Sequence, residues 1–125
     1  MAVRAELRFR LPNSPGSLAR IASLLATEQI RILALSLEAS GLTRLIVDNP
    51  SHASAALARE HVAVEQRDVI YTTVAARSIG ALLNGAAAAG VNVEYAYAST
   101  MDAEGMVALV IGVDDAHRAS AAAGI

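Results

Sequence analysis

The chain has 125 residues, a net charge of −2 and no cysteine, lysine or tryptophan. Without cysteine there is no disulfide, thiolate nucleophile or cysteine zinc site, and without lysine no Schiff-base enzyme or lysine-dependent phosphate loop. Only three histidines are present, so we expect no metal and no cofactor site. The balanced charge disfavours nucleic acid, and a 54% hydrophobic composition is too apolar for disorder.

No segment reaches the roughly 20 apolar residues needed to span a bilayer. The first eleven residues alternate between charged and apolar types, unlike a signal peptide. We therefore expect a cytoplasmic protein with no membrane partner. The length suits one domain or two small ones, and units of about 60 residues are marginal alone, so two halves should depend on each other.

The chain begins with a strand pattern followed by a helix pattern. Residues 3–11 alternate with a period of two, which predicts a strand with one solvent-exposed face. Apolar residues then fall at helical spacing from Leu18 to Leu25. Between the two, Ser14 can cap the helix and Pro15 fits its first position.

Four further segments complete the first half. Residues 30–37 are apolar on both faces, which predicts a strand covered on both sides, and residues 42–47 predict a third strand. An alanine-rich helix is predicted from about residue 50 to residue 60. Residues 62–74 form a long extended stretch, in which the charged residues 65–68 indicate a solvated bend.

The same order of patterns recurs in the second half. A helix face starts at Ile79 and stops at Gly90, a usual left-handed helix end. Strand patterns follow over residues 91–97 and 106–113. Asp114 and Asp115 then open a short last helix, where acidic residues are favourable.

Direct alignment of the halves indicates an internal repeat. Residues 47–56 match residues 113–122 at six of ten positions. Each half is therefore predicted to have the order β-α-β-β-α-β. The long extended stretch would be the last strand of the first half and the first strand of the second. We predict domains at 1–68 and 69–125. The second half has no closing strand after its last helix. Either the fold does without it, or the neighbouring half or another chain covers that edge.

Pro15 and Gly16 stand between the first strand pattern and the first helix pattern, which begins at Leu18. In this the chain resembles the ACT domain, a family in which a Pro-Gly pair followed by leucine joins the first strand to the first helix. Residues 90–93 are similar to the Gly-aliphatic-Asn-aliphatic segment that enters the family's second strand. The resemblance covers residues 3–125 and implies a small bacterial tandem ACT protein. Its expected fold is α+β, two ferredoxin-like units side by side, the second without its last strand.

Each half departs from the family pattern at one of its two motifs. The second half carries Ala76 and Arg77 in place of the Pro-Gly pair. The first half carries Gln29 and Arg31 in place of the glycine and asparagine. Arg31 could instead recruit an acidic group.

The resemblance implies a non-catalytic regulatory module that binds an amino acid or similar small ligand where two ACT units meet. A helix start offers free N–H groups and a positive dipole end to a carboxylate, and asparagine can both donate and accept. The expected site combines two segments: Asn13, Ser14, Pro15, Gly16, Ser17 and Leu18 with Val91, Asn92 and Val93. The second site, at residues 75–78 and 29–32, is expected to be weak or empty. A homo-oligomer and a regulated protein partner are expected.

Other interpretations remain open at this stage. A structural or oligomerisation protein with a degenerate ligand site is favoured by the apolar residues 33, 35 and 37 and by the missing strand. Pro15-Gly16 can be an ordinary turn, and Asn92 an exposed strand residue. Tyr95 and Tyr97 are expected to pack rather than bind ligand. No GxSxG or GxGxxG motif is present, so we expect no enzyme and no catalytic residues.

Overall fold

The computed structural model describes residues 2–125. The chain divides into two compact units, one of residues 5–67 and one of residues 68–125 together with residues 2–4. The division falls inside two strands, β1 (Val3–Arg10) and β4 (Glu65–Ala75). Among residues 2–125, no helix has the length and apolar character needed to cross a bilayer. The domain limits of 1–68 and 69–125 stay a prediction.

The first unit has the predicted order of strands and helices. After β1 its elements are α1 (Ser17–Thr27), β2 (Ile32–Leu37), β3 (Leu42–Val47) and α2 (Pro50–Arg59). Both β1 and β2 pair antiparallel with β3, which lies between them. Side chains on one face of this sheet pack against the two helices. The fully buried residues there include Leu7 and Leu45 of the sheet, Ile21 and Leu25 of α1, and Leu57 of α2.

Burial in this unit departs from two sequence predictions. The other face of β1 is not uniformly wet, because Glu6 has no exposed surface. Conversely, β2 is not covered on both sides. Leu35 and Leu37 are 43% and 46% exposed, and they share the helix-facing side of the sheet through their pairing with Leu45 and Thr43. The reason is position: β2 pairs only with β3 in this unit, and the helices reach mainly the strands nearer the centre.

The second unit repeats the pattern. A single 3-10 turn (Ala76–Ser78) leads into α3 (Ile79–Ala88), which is followed by β5 (Tyr95–Ala98), β6 (Met106–Gly112) and α4 (Ala116–Ala123). Both β4 and β5 pair antiparallel with β6. Ile70, Leu109 and Ile111 on the sheet form a core with residues of α4.

Two predicted boundaries in the chain are wrong. The charged residues 65–68 are part of β4 rather than a bend, because strand pairing can hold polar residues that remain exposed at the surface. The second strand of the second half begins at Tyr95, not at Val91. Residues 91–93 therefore lie in the segment that leads into β5, although their burial still alternates.

The start of the chain covers part of the edge that a closing strand would have occupied. No strand follows α4 within residues 2–125. The N–H of Tyr71 instead donates to the carbonyl of Ala2 at 2.8 Å, and Ala2 and Val3 pack on the core of this unit. Arg4 lies over the Tyr71 ring, 5.0 Å from its centroid.

All four helices end in the same backbone motif. Each is followed by a residue with positive φ: Gln29, His61, Gly90 and Gly124. The next residue then donates its N–H to the carbonyl five positions earlier, at 2.9–3.0 Å. This is the Schellman arrangement, and it turns the chain from helix back to sheet. The internal repeat is therefore also a repeat of backbone geometry, with glycine in the second half and larger residues in the first.

The left-handed conformation of Gln29 predicts a stabilising substitution. Gln29→Gly removes the Cβ clash of that conformation, and we expect the free energy of unfolding to rise by about 0.5–1 kcal/mol after the loss of chain entropy is counted. Urea unfolding followed by circular dichroism measures this. The control, Gln29→Ala, keeps the Cβ and should give no such gain. A lower stability for Gln29→Gly would contradict this account.

Candidate functional site

The Pro-Gly pair forms a tight turn between β1 and α1. The N–H of Ser17 donates to the carbonyl of Ser14 at 3.3 Å, so Pro15 and Gly16 are the two central residues. Gly16 has φ 84° and ψ −5°, the values of the second central residue of a type II turn. Proline presets the first central residue and glycine supplies the positive φ of the second. The pair is thus required by the turn itself.

The helix that follows starts later than predicted. α1 begins at Ser17, with Gly16 at the N-cap position and no side-chain cap among the described residues. Ser14 is therefore not the cap and Pro15 is not the first helical residue. The Ser14 hydroxyl lies 2.9 Å from the Ser17 hydroxyl instead. Because no side chain caps it, the start of α1 keeps N–H groups and a positive dipole end that can receive an anionic group.

A cavity of 160 Å³ lies against this turn. Five of the predicted site residues line it: Asn13, Ser14, Gly16, Ser17 and Leu18. Pro15 holds the turn without lining the cavity. The opposite wall is formed by Leu37, Glu38 and Gly41, from the connection between β2 and β3. No local sequence signal at Ser40-Gly41 indicates that this turn meets the first one.

Gly41 explains how the two turns come so close. Its N–H bonds to the carbonyl of Glu38 at 2.9 Å, and its carbonyl accepts from the N–H of Leu11 at 2.9 Å. Its φ is 90°, and a Cβ at this position would overlap the Leu11 carbonyl oxygen. Only glycine allows this backbone contact, which fixes the wall of the cavity.

Glu38 supplies negative charge at the cavity. Its carboxylate accepts from the guanidinium of Arg44 at 2.6 Å. Arg44 is largely buried whereas Glu38 is about half exposed, with side-chain exposures of 12% and 48%. The cavity therefore has an acidic residue on one wall and an uncapped helix start on the other.

The corresponding turn in the second half has a different shape. Residues 76–78 form a 3-10 turn, and no residue from Ala75 to Ile79 has positive φ. The N–H of Ala76 donates to the carbonyl of Gly105 at 2.9 Å, so this backbone is tied to another loop. The geometry that builds the first cavity is absent from residues 75–79.

Arg31, which replaces the family's asparagine, is held by Asp48. Its backbone N–H and its Nε donate to the two carboxylate oxygens at 3.1 and 3.2 Å. These bonds, the side-chain bond foremost and then the backbone bond, lower the pKa of Asp48 from its ordinary value of 3.8. The acidic group that Arg31 recruits in this structure belongs to its own chain.

The remaining predicted site residues lie in the other unit. Val91 is buried in the core of that unit, with 6% of its surface exposed. Val93 is half-buried and Asn92 is exposed. The interpretation of Asn92 as an exposed strand residue is correct in its exposure and wrong in its element, because Asn92 lies before β5 rather than within it. Whether these three residues meet the Pro-Gly turn stays a prediction.

The tyrosine, aspartate and histidine side chains of the second unit contact other residues of that unit. The Tyr95 ring lies where a Cβ on Gly112 would stand, and it stacks with Tyr97 at a centroid distance of 6.4 Å. Asp115 caps α4 by accepting from the N–H of Arg118 at 3.0 Å. His117 lies 3.2 Å from the Asp68 carboxylate. Within residues 2–125 no three potential metal ligands cluster together.

Comparison with known proteins gives structural relatives only. No family model matches the sequence, and no curated protein matches it. Protein BT0572 from Bacteroides thetaiotaomicron is 28% identical, with a TM-score of 0.85 over 97% of this chain and 86% of that one. The regulatory subunit of aspartate kinase from Thermus flavus is 19% identical, with a TM-score of 0.64 over 99% of this chain and 95% of that one. The fold is of the ACT type.

That likeness confirms the α+β class with ferredoxin-like ACT units. A third relative, E. coli aspartokinase III in complex with lysine and aspartate, is 15% identical, with a TM-score of 0.59. It covers 94% of this chain and 30% of that chain. At identities of 15% and 19%, the likeness to the aspartate kinase structures concerns the fold of this chain and not its ligand.

The Arg31–Asp48 pair predicts a measurable pKa change. Arg31→Ala removes the side-chain hydrogen bond, so the pKa of Asp48 should rise toward 3.8. Because the folded pKa is lowered, the pair stabilises the fold above pH about 4, and this contribution is lost as the pH falls through the lowered value. Carboxylate NMR titration measures the shift. Arg118→Ala, whose partner is Asp114, is the control, and an unchanged Asp48 pKa in Arg31→Ala would refute the assignment.

Proposed function

We propose that this protein is a non-catalytic regulatory module that binds an amino acid or a similar small zwitterion at the Pro-Gly turn. The main observation in support of this proposal is the 160 Å³ cavity between the start of α1 and Glu38. At about 30 Å³ for each water in the liquid, this volume corresponds to roughly five waters. The amino, α-carbon and carboxylate atoms common to all amino acids are also five heavy atoms.

The charges around the cavity suit the two ends of a zwitterion. A ligand carboxylate would accept hydrogen bonds from the uncapped N–H groups at the start of α1, where the helix dipole is favourable. A ligand ammonium would lie toward Glu38, whose carboxylate is about half exposed beside Arg44. The turn is held rigidly by Pro15 and by the Leu11–Gly41 bond, so little ordering is required on binding.

The complete site, in this proposal, lies at an interface between two ACT units. Val91, Asn92 and Val93 supply the second side, with the exposed Asn92 amide as donor and acceptor. The small cavity at the turn leaves the ligand side chain outside it, where such a partner segment would contact it. The second, equivalent site is weak or empty, because residues 75–79 lack the type II turn and Arg31 is bound to Asp48.

The structural relatives are consistent with a regulatory role. The Thermus flavus protein is a regulatory subunit, and the E. coli enzyme is in complex with lysine and aspartate. By this proposal the chain senses an amino acid in the cytoplasm as a homo-oligomer, and it passes the signal to a protein partner.

A thermal-shift screen against the standard amino acids tests the proposal. A ligand at 100 times its Kd should stabilise the fold by about 2.7 kcal/mol, which raises Tm by roughly 10 °C for a chain of this length. Gly16→Asp should abolish the shift, since a carboxylate there repels the ligand carboxylate. A Cβ at Gly16 contacts nothing within 4 Å, but the φ of 84° strains any side chain at this position, at a cost of about 1–2 kcal/mol. A Gly124→Asp control carries the same kind of strain. Asn92→Ala should also abolish the shift.

Matched controls separate loss of binding from loss of folding. Gly124 has φ 71° and equally open surroundings, so Gly124→Asp makes the same change away from the turn and should keep the shift. Ala76→Gly should keep it as well. If no amino acid raises Tm, or if Gly16→Asp responds like the unmodified chain, the proposal fails.

Assembly without a ligand is a second candidate function, and a specific observation favours it. Leu35 and Leu37 on β2 are the exposed large aliphatic residues of the first unit, and β2 pairs with only one strand there. An edge strand with exposed leucines is suited to association with another copy. Such a protein would use its sheet edge as a structural contact, with the Pro-Gly turn as an ordinary turn.

The oligomeric state distinguishes this candidate. Leu35→Glu should weaken self-association at least about tenfold, as expected when a charge is placed in an apolar contact. Sedimentation velocity across a concentration series measures it. Met101→Glu changes another exposed residue, 63% exposed, and should leave association unchanged. A chain that is monomeric at every concentration excludes this candidate.

A further inference from the structure

A second, larger cavity lies within residues 5–67. Its volume is 560 Å³, inside the range of small-molecule pockets in proteins. It is lined by the end of β1, by one residue of α1, and by the segment that joins α2 to β4. The apolar part of the lining includes Phe9 and Leu11, which are 3% and 6% exposed, and the half-buried Val62 and Val64.

Three arginines line the same cavity: Arg8, Arg10 and Arg20. Arg20 is 4.0 Å from Glu60, and both side chains are about half exposed, so this pair contributes little and is easily rearranged. Arg8 and Arg10 form no ion pair with any residue in the range 2–125. With Glu60 and Glu65 also in the lining, the cavity carries a net positive charge.

Arg8, which lines the cavity, has a guanidinium nitrogen without an acceptor in residues 2–125. Its Nε is buried and makes no hydrogen bond within the described chain. Buried polar atoms are nearly always paired with protein or with ordered solvent, because desolvation is otherwise uncompensated. The Nε of Arg44 is in the same state, but Arg44 lines neither cavity, whereas the Arg8 guanidinium lines this one and forms no ion pair with the described residues. Charge therefore makes the Arg8 guanidinium available to an anion that enters the cavity.

We propose that this cavity binds a small organic anion that carries an oxyanion group on an apolar body. The oxyanion, a carboxylate or a phosphate, is bound by Arg8 and Arg10, since guanidinium groups match both geometrically. The apolar body lies against the half-buried Val62 and Val64, because Phe9 and Leu11 alternate with the arginines along the chain and are buried in the core. This site is distinct from the one at the Pro-Gly turn. The two cavities have only Leu11 and Pro12 in common.

Phenyl phosphate, benzoate, inorganic phosphate and phenol serve as probes. Titration of the ¹⁵N-labelled full chain should show saturable shifts of the Phe9, Leu11, Val62 and Val64 amides with phenyl phosphate or benzoate. Inorganic phosphate lacks the apolar body and phenol lacks the oxyanion group, so each should bind at least about tenfold more weakly than the aromatic anions. The stronger of the two aromatic anions identifies the oxyanion that the site prefers.

Arg8→Gln and Arg10→Gln should each weaken binding of the preferred probe about tenfold or more, as expected for loss of a charge-assisted hydrogen bond. Arg118→Gln, which removes an exposed arginine paired with Asp114 in the other unit, should leave it unchanged. Gly16→Asp should also leave it unchanged, which separates this site from the proposed amino-acid site. Because Arg10 is exposed, its variant remains informative if Arg8→Gln does not fold.

Three results would overturn the proposal. One is the absence of saturable shifts with either aromatic anion at about 100 times the concentration of protein. Another is equal affinity in Arg10→Gln and the unmodified chain. The third is a set of shifts confined to residues outside the cavity.

Discussion

The hydrogen bond from the N–H of Leu11 to the carbonyl of Gly41 is the contact on which the candidate site depends. It joins the end of β1 to the turn between β2 and β3, and it exists because residue 41 has no side chain. Leu11 is itself buried in the core of its unit, so the contact links the packing of the core to the position of two surface turns. The 160 Å³ cavity is the space left between those turns.

Both halves keep the left-handed helix end, but they differ in the turn that leads from the first strand to the first helix. The reason lies in the structural role of each feature. The left-handed helix end is present in all four helices, including at Gln29 and His61, where it carries a steric cost. After α1, α2 and α3 the chain must return to the sheet, so at these three ends the geometry is needed whatever the ligand. Of the two corresponding turns, the type II turn forms at Pro15-Gly16 and not at residues 75–79. Such a turn is dispensable to the fold, since residues 76–78 connect strand and helix without it.

Periodicity predicted the elements well because it reports which side of each element is buried. The helix from Leu18 to Leu25 and the apolar strand 106–113 were correct on that basis. Periodicity does not indicate which neighbouring strand or helix covers a given face of an element. Glu6 is therefore buried against expectation, and Leu35 is exposed against expectation.

The candidate site shows the same limit. Asn13 to Leu18 could be named from the sequence, since the turn residues are contiguous. The opposite wall, at Glu38 and Gly41, could not, because it is brought there by the pairing of β3 with β1 rather than by any local signal. The resemblance to ACT domains pointed to the wall of this cavity that is carried by a motif, and its role in binding stays a prediction.

The charges of the first unit show which arginines the fold uses. Arg31 is bound by Asp48, Arg44 by Glu38 and Arg59 by Glu28. The Arg31 and Arg59 pairs join residues 17 and 31 positions apart, and the Arg44 pair joins β3 to the turn after β2, so each arginine has a role in the folded structure. Arg8 and Arg10 have no such partner, although the acidic residues Glu60 and Glu65 line the same cavity. A unit that pairs Arg31, Arg44 and Arg59 and leaves Arg8 and Arg10 without an ion pair in the described chain, beside a partly apolar cavity, has the positive charge needed to bind an anion there.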